Sequence, residues 1–330
     1  MIKRSEKEII KNWKRQSGKP LVSCCCISYN HEKYIESALD SILMQKTDFP
    51  FEIIVRDDCS TDQTQNIIKK YAKKFPSIIK PILEEENQYS KGVNPGLATF
   101  KHAKGKYIAI LECDDFWTDA NKLQKQTDFL ERHDKFIISY HDCSLIDKND
   151  KIISNTINSN LKDYTSEELK CGNIFIHPNT TLFRNIEIVF PKIFDGILNG
   201  DTVMFHLLGF HGHGKYQSDI KNSVYRVHGA GIWSSLDRIQ KMKNNIKTKQ
   251  ALQKNLCDEP ELVKKIEDNI TRSSLSHLRQ SLAEKDLKAY YEIIKFIIFN
   301  KNLDNRIIIK HYKDIFERVY KKILTGSTNH

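Results

Sequence analysis

Glu112, Asp114 and Asp115 set three carboxylates within four residues, directly after the apolar run Ile108-Ala109-Ile110-Leu111. Carboxylates a few ångströms apart repel, and each raises the others' pKa unless a cation neutralises them. Their oxygens suit Mg²⁺ or Mn²⁺, and Mg²⁺ is usually held by one or two carboxylates together with substrate phosphates. The cluster therefore points to a metal-diphosphate site. The plainer alternative is an acidic helix start, with Asp114 or Asp115 capping a helix that begins near Asp119.

The surrounding pattern has to position those acids. Residues 51–56 form a short, apolar, β-branched run that ends in Asp57-Asp58-Cys59-Ser60-Thr61-Asp62, and residues 21–27 form another that ends in Ser28-Tyr29-Asn30-His31. Each run reads as a buried strand. Helical spacing follows both turns, through Tyr34, Ile35, Ala38, Leu39, Ile42 and Leu43, and through Ile67, Ile68, Tyr71 and Phe75. Strands alternating with helices of this length predict an α/β fold with a mostly parallel sheet flanked by helices. In such sheets ligands bind beyond the carboxyl ends of the strands, where all three polar turns fall.

The same three segments resemble the opening signatures of glycosyltransferase family 2, whose catalytic domain has the Rossmann-like GT-A fold. Residues 22–30 are similar to the strand ending in Thr/Ser-Tyr-Asn, residues 52–62 to Glu-Ile-Ile-Val-x-Asp-Asp-Gly-Ser-Thr-Asp, and residues 104–117 to Gly-Lys-Tyr-Ile-x-x-Leu-(Asp/Glu)-x-Asp-Asp. The likeness covers roughly the first 120 residues and is greatest to members that build bacterial surface polysaccharides. It implies that Asp58 meets the uracil ring of a UDP-sugar, with Asp57, Ser28, Tyr29 and Asn30 lining the base pocket. A carboxylate accepts the imide N–H of uracil, a donor that cytosine lacks. Asp114 and Asp115 would hold ribose and a metal-bound diphosphate, and Glu112 stands in the slot often filled by the first Asp of that motif. Cys59 replaces the family's usual Gly. A positive φ there would strain Cys, so a differently shaped turn is expected.

Farther along, Asp201 opens the apolar helix pattern of residues 202–208 and resembles the family's (Glu/Asp)-Asp element, whose carboxylate is the general base. Inverting transfer needs such a base to take the proton of the attacking hydroxyl, while an N-cap is the structural alternative. The stretch from Tyr225 to His228 resembles the family's Tyr-Arg-x-His element. Arg226 or His228 would then reach the diphosphate, and Trp233, on a loop loosened by Gly229 and Gly231, would stack on a sugar. Trp117 and Trp233 are assigned to the acceptor, and His177 to Thr181 line its pocket by position alone. His211 and His213, in a glycine-rich turn without a Cys pair, do not make a zinc site.

A chain of 330 residues with a formal net charge of +10 accommodates a catalytic domain over residues 1–235, with an N-terminal helix over 1–18, and a helical C-terminal region over 236–330. In that last region Lys and Arg outnumber Asp and Glu by 20 to 12. Its basic amphipathic helices suit either a solvated bundle surface or the anionic face of a membrane that carries a lipid-linked acceptor. Cys24-Cys25-Cys26 sit consecutively on a predicted strand and cannot converge on a metal. The cysteine pattern suits a reducing cytoplasm, at the inner face of the membrane if the helices dock there. No helix-turn-helix or aromatic-interleaved basic motif supports nucleic-acid binding.

The expected activity is a metal-dependent, inverting transfer from a nucleotide-sugar to a hydroxyl of a glycan or lipid-linked acceptor. A sugar nucleotidyltransferase is the alternative enzyme, disfavoured by the lack of Gly and Arg in the turn of residues 28–31. A non-catalytic nucleotide-sugar-binding relative is the third reading.

Overall fold

The computed structural model describes residues 4–14, 18–158, 160–228, 231, 233–300, 307 and 309–313. Gly229, Ile308, Ile315, Phe316 and Tyr320 lie outside the described residues. The elements run α1 (Glu6–Ile10), β1 (Val22–Ser28), α2 (Ile35–Leu43), β2 (Phe51–Asp57), α3 (Thr64–Lys74), β3 (Ile79–Leu83), α4 (Pro95–Phe100), β4 (Tyr107–Glu112), α5 (Lys122–Arg132), β5 (Phe136–Tyr140), β6 (Cys143–Asp147) and β7 (Ile152–Ser154). They continue with α6 (Ser166–Lys170), β8 (Leu182–Arg184), α7 (Gly200–Leu208), β9 (His213–Tyr216), β10 (Ser223–Val227), α8 (Arg238–Asn255), α9 (Pro260–Ala283) and α10 (Leu287–Phe299).

Seven strands form the central sheet in the order β3-β2-β1-β4-β8-β5-β9, and β10-β6-β7 form a second, smaller sheet. β1 runs parallel to both β2 and β4, and only β8 is antiparallel to its neighbours in the central sheet. Register pairs Ser28 with Asp57 and Ile27 with Glu112, so the three polar turns leave the sheet side by side. The consecutive cysteines show the pleat directly. Cys24 and Cys26 pack with Ile35, Leu39, Ile68 and Leu123 on one face of the sheet, while Cys25 packs with Ile54, Ile108 and Phe205 on the other.

At the opposite edge of the strands a buried polar network ties three of them together. Ser23 Oγ donates to Glu52 Oε1 at 2.7 Å, and that carboxylate also accepts the Lys104 N–H at 2.9 Å. Thus the Glu that opens the second signature is a structural residue, far along the strand from the acidic turn. Gly105 N–H donates to the same Ser23 Oγ at 2.8 Å. A Cβ at Gly105 would lie 2.6 Å from the backbone nitrogen of Ser23, which explains why glycine precedes β4.

The N-terminal helix is shorter than the expected 1–18. Ser5 and Glu8 form a capping box that starts α1, but Lys14 N–H donates to Asp48 O at 2.7 Å and draws the chain out of helical geometry soon after Ile10. The chain falls into two compact units, one drawn from Met1–Lys170, Ile174–Pro191 and Gly200–Ser234, the other from Cys171–Asn173, Lys192–Asn199 and Ser235–His330. The second unit is built on α8, α9 and α10, with Asp237 and Gln240 forming a capping box and Pro260 in the first turn of α9. No described helix is long and apolar enough to cross a membrane.

Gly105→Ala should destabilise the protein by about 1–3 kcal/mol, because the backbone of β1 cannot yield to the added methyl. Equilibrium urea unfolding measures this, and an unchanged midpoint would contradict the close approach.

Candidate active site

The turns after β1 and β2 are laced together by short polar side chains. Asn30 N–H donates to Ser60 Oγ at 2.8 Å, Thr61 N–H donates to Asn30 Oδ1 at 2.8 Å, and His31 N–H donates to Thr64 Oγ1 at 2.9 Å. Asp57 is fully buried, and its carboxylate accepts the Ser60 N–H and the Gln65 side-chain amide, each at 2.9 Å. Asp58 accepts the backbone N–H groups of Gln88 and Tyr89 at 3.0 and 2.9 Å and stands 3.4 Å from Arg56. It therefore ties the loop before α4 to the exit of β2.

Cys59 has φ of +65°. The expectation of a differently shaped turn is overturned: the left-handed turn is retained, and Cys occupies the position of the family's Gly. That conformation costs a non-glycine residue roughly 1–2 kcal/mol. The ties through Asn30, Asp57 and Ser60 offset it, as does the Sγ donation to Glu85 O at 3.2 Å.

Asp114 is the centre of the site. Its Oδ2 lies 2.8 Å from His228 Nε2 and 3.9 Å from His31 Nε2, while one ligand atom each from Glu112, Asp114 and Asp115 lies within 4.8 Å of the others. Burial opposes ionisation of Asp114, but the His228 hydrogen bond and the charge of His31 outweigh it and hold the carboxyl below its usual range. Burial keeps His31 below the ordinary imidazole range, against the opposing pull of Asp114.

Asp115 sits deeper. Its two oxygens accept the Asn179 side-chain amide at 2.8 Å and the Arg226 backbone N–H at 2.9 Å. Burial, reinforced by Asp114 and Glu112, pushes its carboxyl well above the usual range. Asn179 O in turn accepts the indole N–H of Trp117 at 2.7 Å, and the ammonium of buried Lys122 rests 4.1 Å from the centre of that indole ring. Burial brings Lys122 down to about 7. A continuous chain of contacts thus runs from Lys122 through Trp117 and Asn179 to Asp115.

Glu112 stands at the exit of β4, where its surface reaches solvent although the carboxyl is crowded by surrounding protein, and the charge of Asp201 acts on it. Burial by the surrounding protein, then the charges of Asp114 and Asp201, push Glu112 up to about 8. Asp201 is the second residue of α7 and not the residue before it, so it does not cap the helix in the simple way; its Oδ1 accepts the Thr202 N–H at 2.7 Å. Burial raises its carboxyl above the usual range.

The family model for glycosyl transferase family 2 matches residues 23–188. This chain belongs to glycosyltransferase family 2. The uncharacterized protein Rv1520 of Mycobacterium tuberculosis is 34% identical over 220 residues, which are 65% of this chain and 61% of that one. The poly(ribitol-phosphate) beta-N-acetylglucosaminyltransferase TarS of Staphylococcus aureus is 31% identical over 176 residues, 50% of this chain and 28% of that one. This chain therefore spans about three-fifths or less of the length of these curated relatives. Among solved structures, residues 1–349 of S. aureus TarS in complex with UDP superpose with a TM-score of 0.52 at 18% identity, covering 83% of this chain and 90% of that one. The mannosyltransferase PcManGT of Pyrobaculum calidifontis, in complex with GDP-Man and Mn²⁺, gives 0.53 at 17% identity, covering 94% and 84%. These likenesses establish the GT-A fold.

In this glycosyltransferase family 2 chain the acidic cluster fits a divalent cation. Asp114, shared by both ligand groups, has its Oδ1 buried without a hydrogen-bond partner, so one unused carboxylate oxygen stands where the two groups meet. Mixed imidazole and carboxylate donors suit Mn²⁺, and carboxylates alone suit Mg²⁺.

Several expected site residues have other work here. Trp117 is only 2% exposed, beneath the cluster, and cannot stack on an acceptor. Asn179, Thr180 and Thr181 are buried too, so that segment supports Asp115 and does not line a pocket. Asp57 spends its oxygens on the turn, and Ser28 is buried at the end of β1, whereas Tyr29 is half exposed. Arg226 points away from the cleft floor: Nε donates to Asp114 O at 3.2 Å and a terminal nitrogen pairs with Asp150 at 2.6 Å. Trp233 is partly exposed beyond β10. Sequence reasoning missed His31, whose clue was its place in the turn after β1, and Lys122, which carried no motif, and it gave Asn179 to the acceptor pocket where the structure has it supporting Asp115.

Glu112 protonates more readily folded than unfolded. A folded pKa above the unfolded one stabilises the protein at low pH, and that stabilisation is lost as pH rises from about 4.3 toward 8. Glu112→Gln has no such loss. In metal-chelating buffer its melting temperature should therefore gain on the wild type steadily from pH 5 to 8; a constant difference across that range would contradict the arrangement.

Proposed function

We propose that this chain is a metal-dependent, inverting glycosyltransferase that moves a sugar from a nucleotide-sugar, a UDP-sugar in preference, to a hydroxyl of a glycan or lipid-linked acceptor. The observation that carries the reading is the gathering of Glu112, Asp114, Asp115, His31 and His228 into two overlapping ligand groups, with the charge of Asp201 close enough to act on Glu112. The relative TarS is named as an N-acetylglucosaminyltransferase and is solved with UDP, which supports the donor class.

Asp114, His228 and His31, with Glu112 from the β4 side, would hold Mn²⁺ or Mg²⁺; the bound ion supplies Lewis-acid stabilisation of the leaving diphosphate. Asp115 orients Asp114 and the β10 strand from below through its hydrogen bonds to Arg226 N–H and Asn179. Asp201 accepts the proton of the attacking hydroxyl at its carboxylate. Its raised pKa makes it a stronger base than an ordinary aspartate once ionised. The positive end of the α7 dipole keeps that anion accessible near neutral pH. Attack on the face opposite the leaving group inverts the anomeric centre. Asp58 and the loop it holds at residues 88–89 are the base-recognition elements in this reading.

A lipid-linked acceptor accords with α10, on which Leu287, Tyr291, Ile298 and Phe299 are exposed beside Lys288 and Lys295. Apolar side chains flanked by lysines suit a peripheral approach to an anionic bilayer.

Asp201→Asn should lower kcat by about 10²–10⁴-fold, the usual worth of a general base, while UDP affinity stays unchanged. The wild-type acid limb should lie above the ordinary aspartate value of about 3.9, because activity requires the ionised form of a group whose pKa burial has raised. Turnover of nucleotide-sugars by the Asn variant at the wild-type rate would remove Asp201 from the mechanism.

A further inference from the structure

A cavity of about 700 Å³ lies beside the acidic cluster and has no part in the scheme above. Lys33 and Tyr34 border it from the turn before α2, Phe116 from the segment after β4, Lys148 and Asp150 from the turn between β6 and β7, and Arg226 from β10. The Arg226 guanidinium is matched by Asp150, 2.6 Å away, and lies 4.5 Å from the centre of the Tyr34 ring. Lys33 and Lys148 are different. Both are exposed and neither forms an ion pair among the described residues, although Asp147 feels the charge of Lys148, so the lining sets three cations, Lys33, Lys148 and Arg226, against the one carboxylate of Asp150.

The cavity shares a wall with the cation cluster. Arg226 Nε donates to Asp114 O at 3.2 Å, and the Tyr34 ring centre is 5.5 Å from that of His228. Anything seated there lies one side chain away from Asp114. The chemistry of the lining is that of an anion site with apolar walls: two mobile point charges and one fixed guanidinium opposite the rings of Tyr34 and Phe116. Lysine ammonium groups bind phosphate as point charges, and a volume within the usual 300–1,000 Å³ range of ligand sites holds a phosphate together with a polyol or sugar unit.

We propose that this cavity binds a phosphate ester of the acceptor, so that the sugar is passed to a hydroxyl on a phosphate-bearing molecule. The inference rests on the transferase reading and narrows its acceptor class. A polyol-phosphate chain and a lipid diphosphate carrier share this chemistry.

Calorimetric titration of the full chain tests it, with sn-glycerol 3-phosphate and farnesyl diphosphate as separate probes, first without nucleotide and then with UDP and Mn²⁺ at saturation. At least one probe should bind in both states. Its Kd should rise about tenfold or more in Lys33→Ala/Lys148→Ala and recover in Lys33→Arg/Lys148→Arg. Preference for glycerol phosphate names the polyol chain as source, and preference for the farnesyl compound names the lipid carrier. Binding of neither probe, equal binding by the alanine variant, or equal binding of glucuronate would overturn the proposal. So would displacement of the probe by UDP, because the cavity would then belong to the donor's diphosphate. UDP titrated alone is read separately: its failure to bind would strike the donor reading, while the result without nucleotide still reports on the cavity.

Discussion

The structure turns on one carboxylate held in a crowd of ionisable groups. Asp114 shares one ligand group with two imidazoles and another with two further carboxylates, and one of its oxygens is left buried without a partner. Such an arrangement is costly in an isolated fold, because like charges in a low-dielectric cleft repel strongly. Burial and mutual repulsion push Asp115 and Glu112 upward, whereas histidine holds Asp114 down. A divalent cation at that point would remove the repulsion altogether.

Everything beneath the cluster serves to keep it in place. Parallel pairing of β1 with β2 and β4 delivers the three turns to one edge, and the Asn30, Ser60 and Thr61 hydrogen bonds stitch two of them together. Asp115 is fixed by Asn179 and by the backbone of β10, and Asn179 is fixed by Trp117 over Lys122. Buried polar groups that find partners resist rearrangement, and in this floor Asn179 Oδ1 is left without one. The rigid floor contrasts with the two flanks. Glu112 and Asp201 reach solvent, and so do Lys33 and Lys148 beside the cavity around Arg226 and Tyr34.

Much of this was legible before any coordinates. The apolar runs that became β1, β2 and β4 end in polar turns, and period alone placed those turns at one sheet edge. Residue identity was a poorer guide to side-chain role. Trp117 and Asp57 carry chemistry that could meet a ligand, yet burial commits them to the floor and to the turn, and for Trp117 that burial depends on a partner distant in sequence, Asn179. Cys59 shows the reverse case: the φ that a glycine would adopt is imposed by the surrounding hydrogen bonds, so a less suited residue follows the same path. The proximity of His31 to His228, and the pairing of Arg226 with Asp150, arise from long-range packing that no local spacing encodes.

The central claim is that Asp114 and its neighbours are assembled for a divalent cation. Electron paramagnetic resonance of Mn²⁺ titrated into the full chain tests it most directly. One bound ion per chain is expected in the wild type, with Asp114→Asn losing that ion while keeping its far-UV circular dichroism and cooperative melting. Retention of the same Mn²⁺ signal by a folded Asp114→Asn variant would contradict the account.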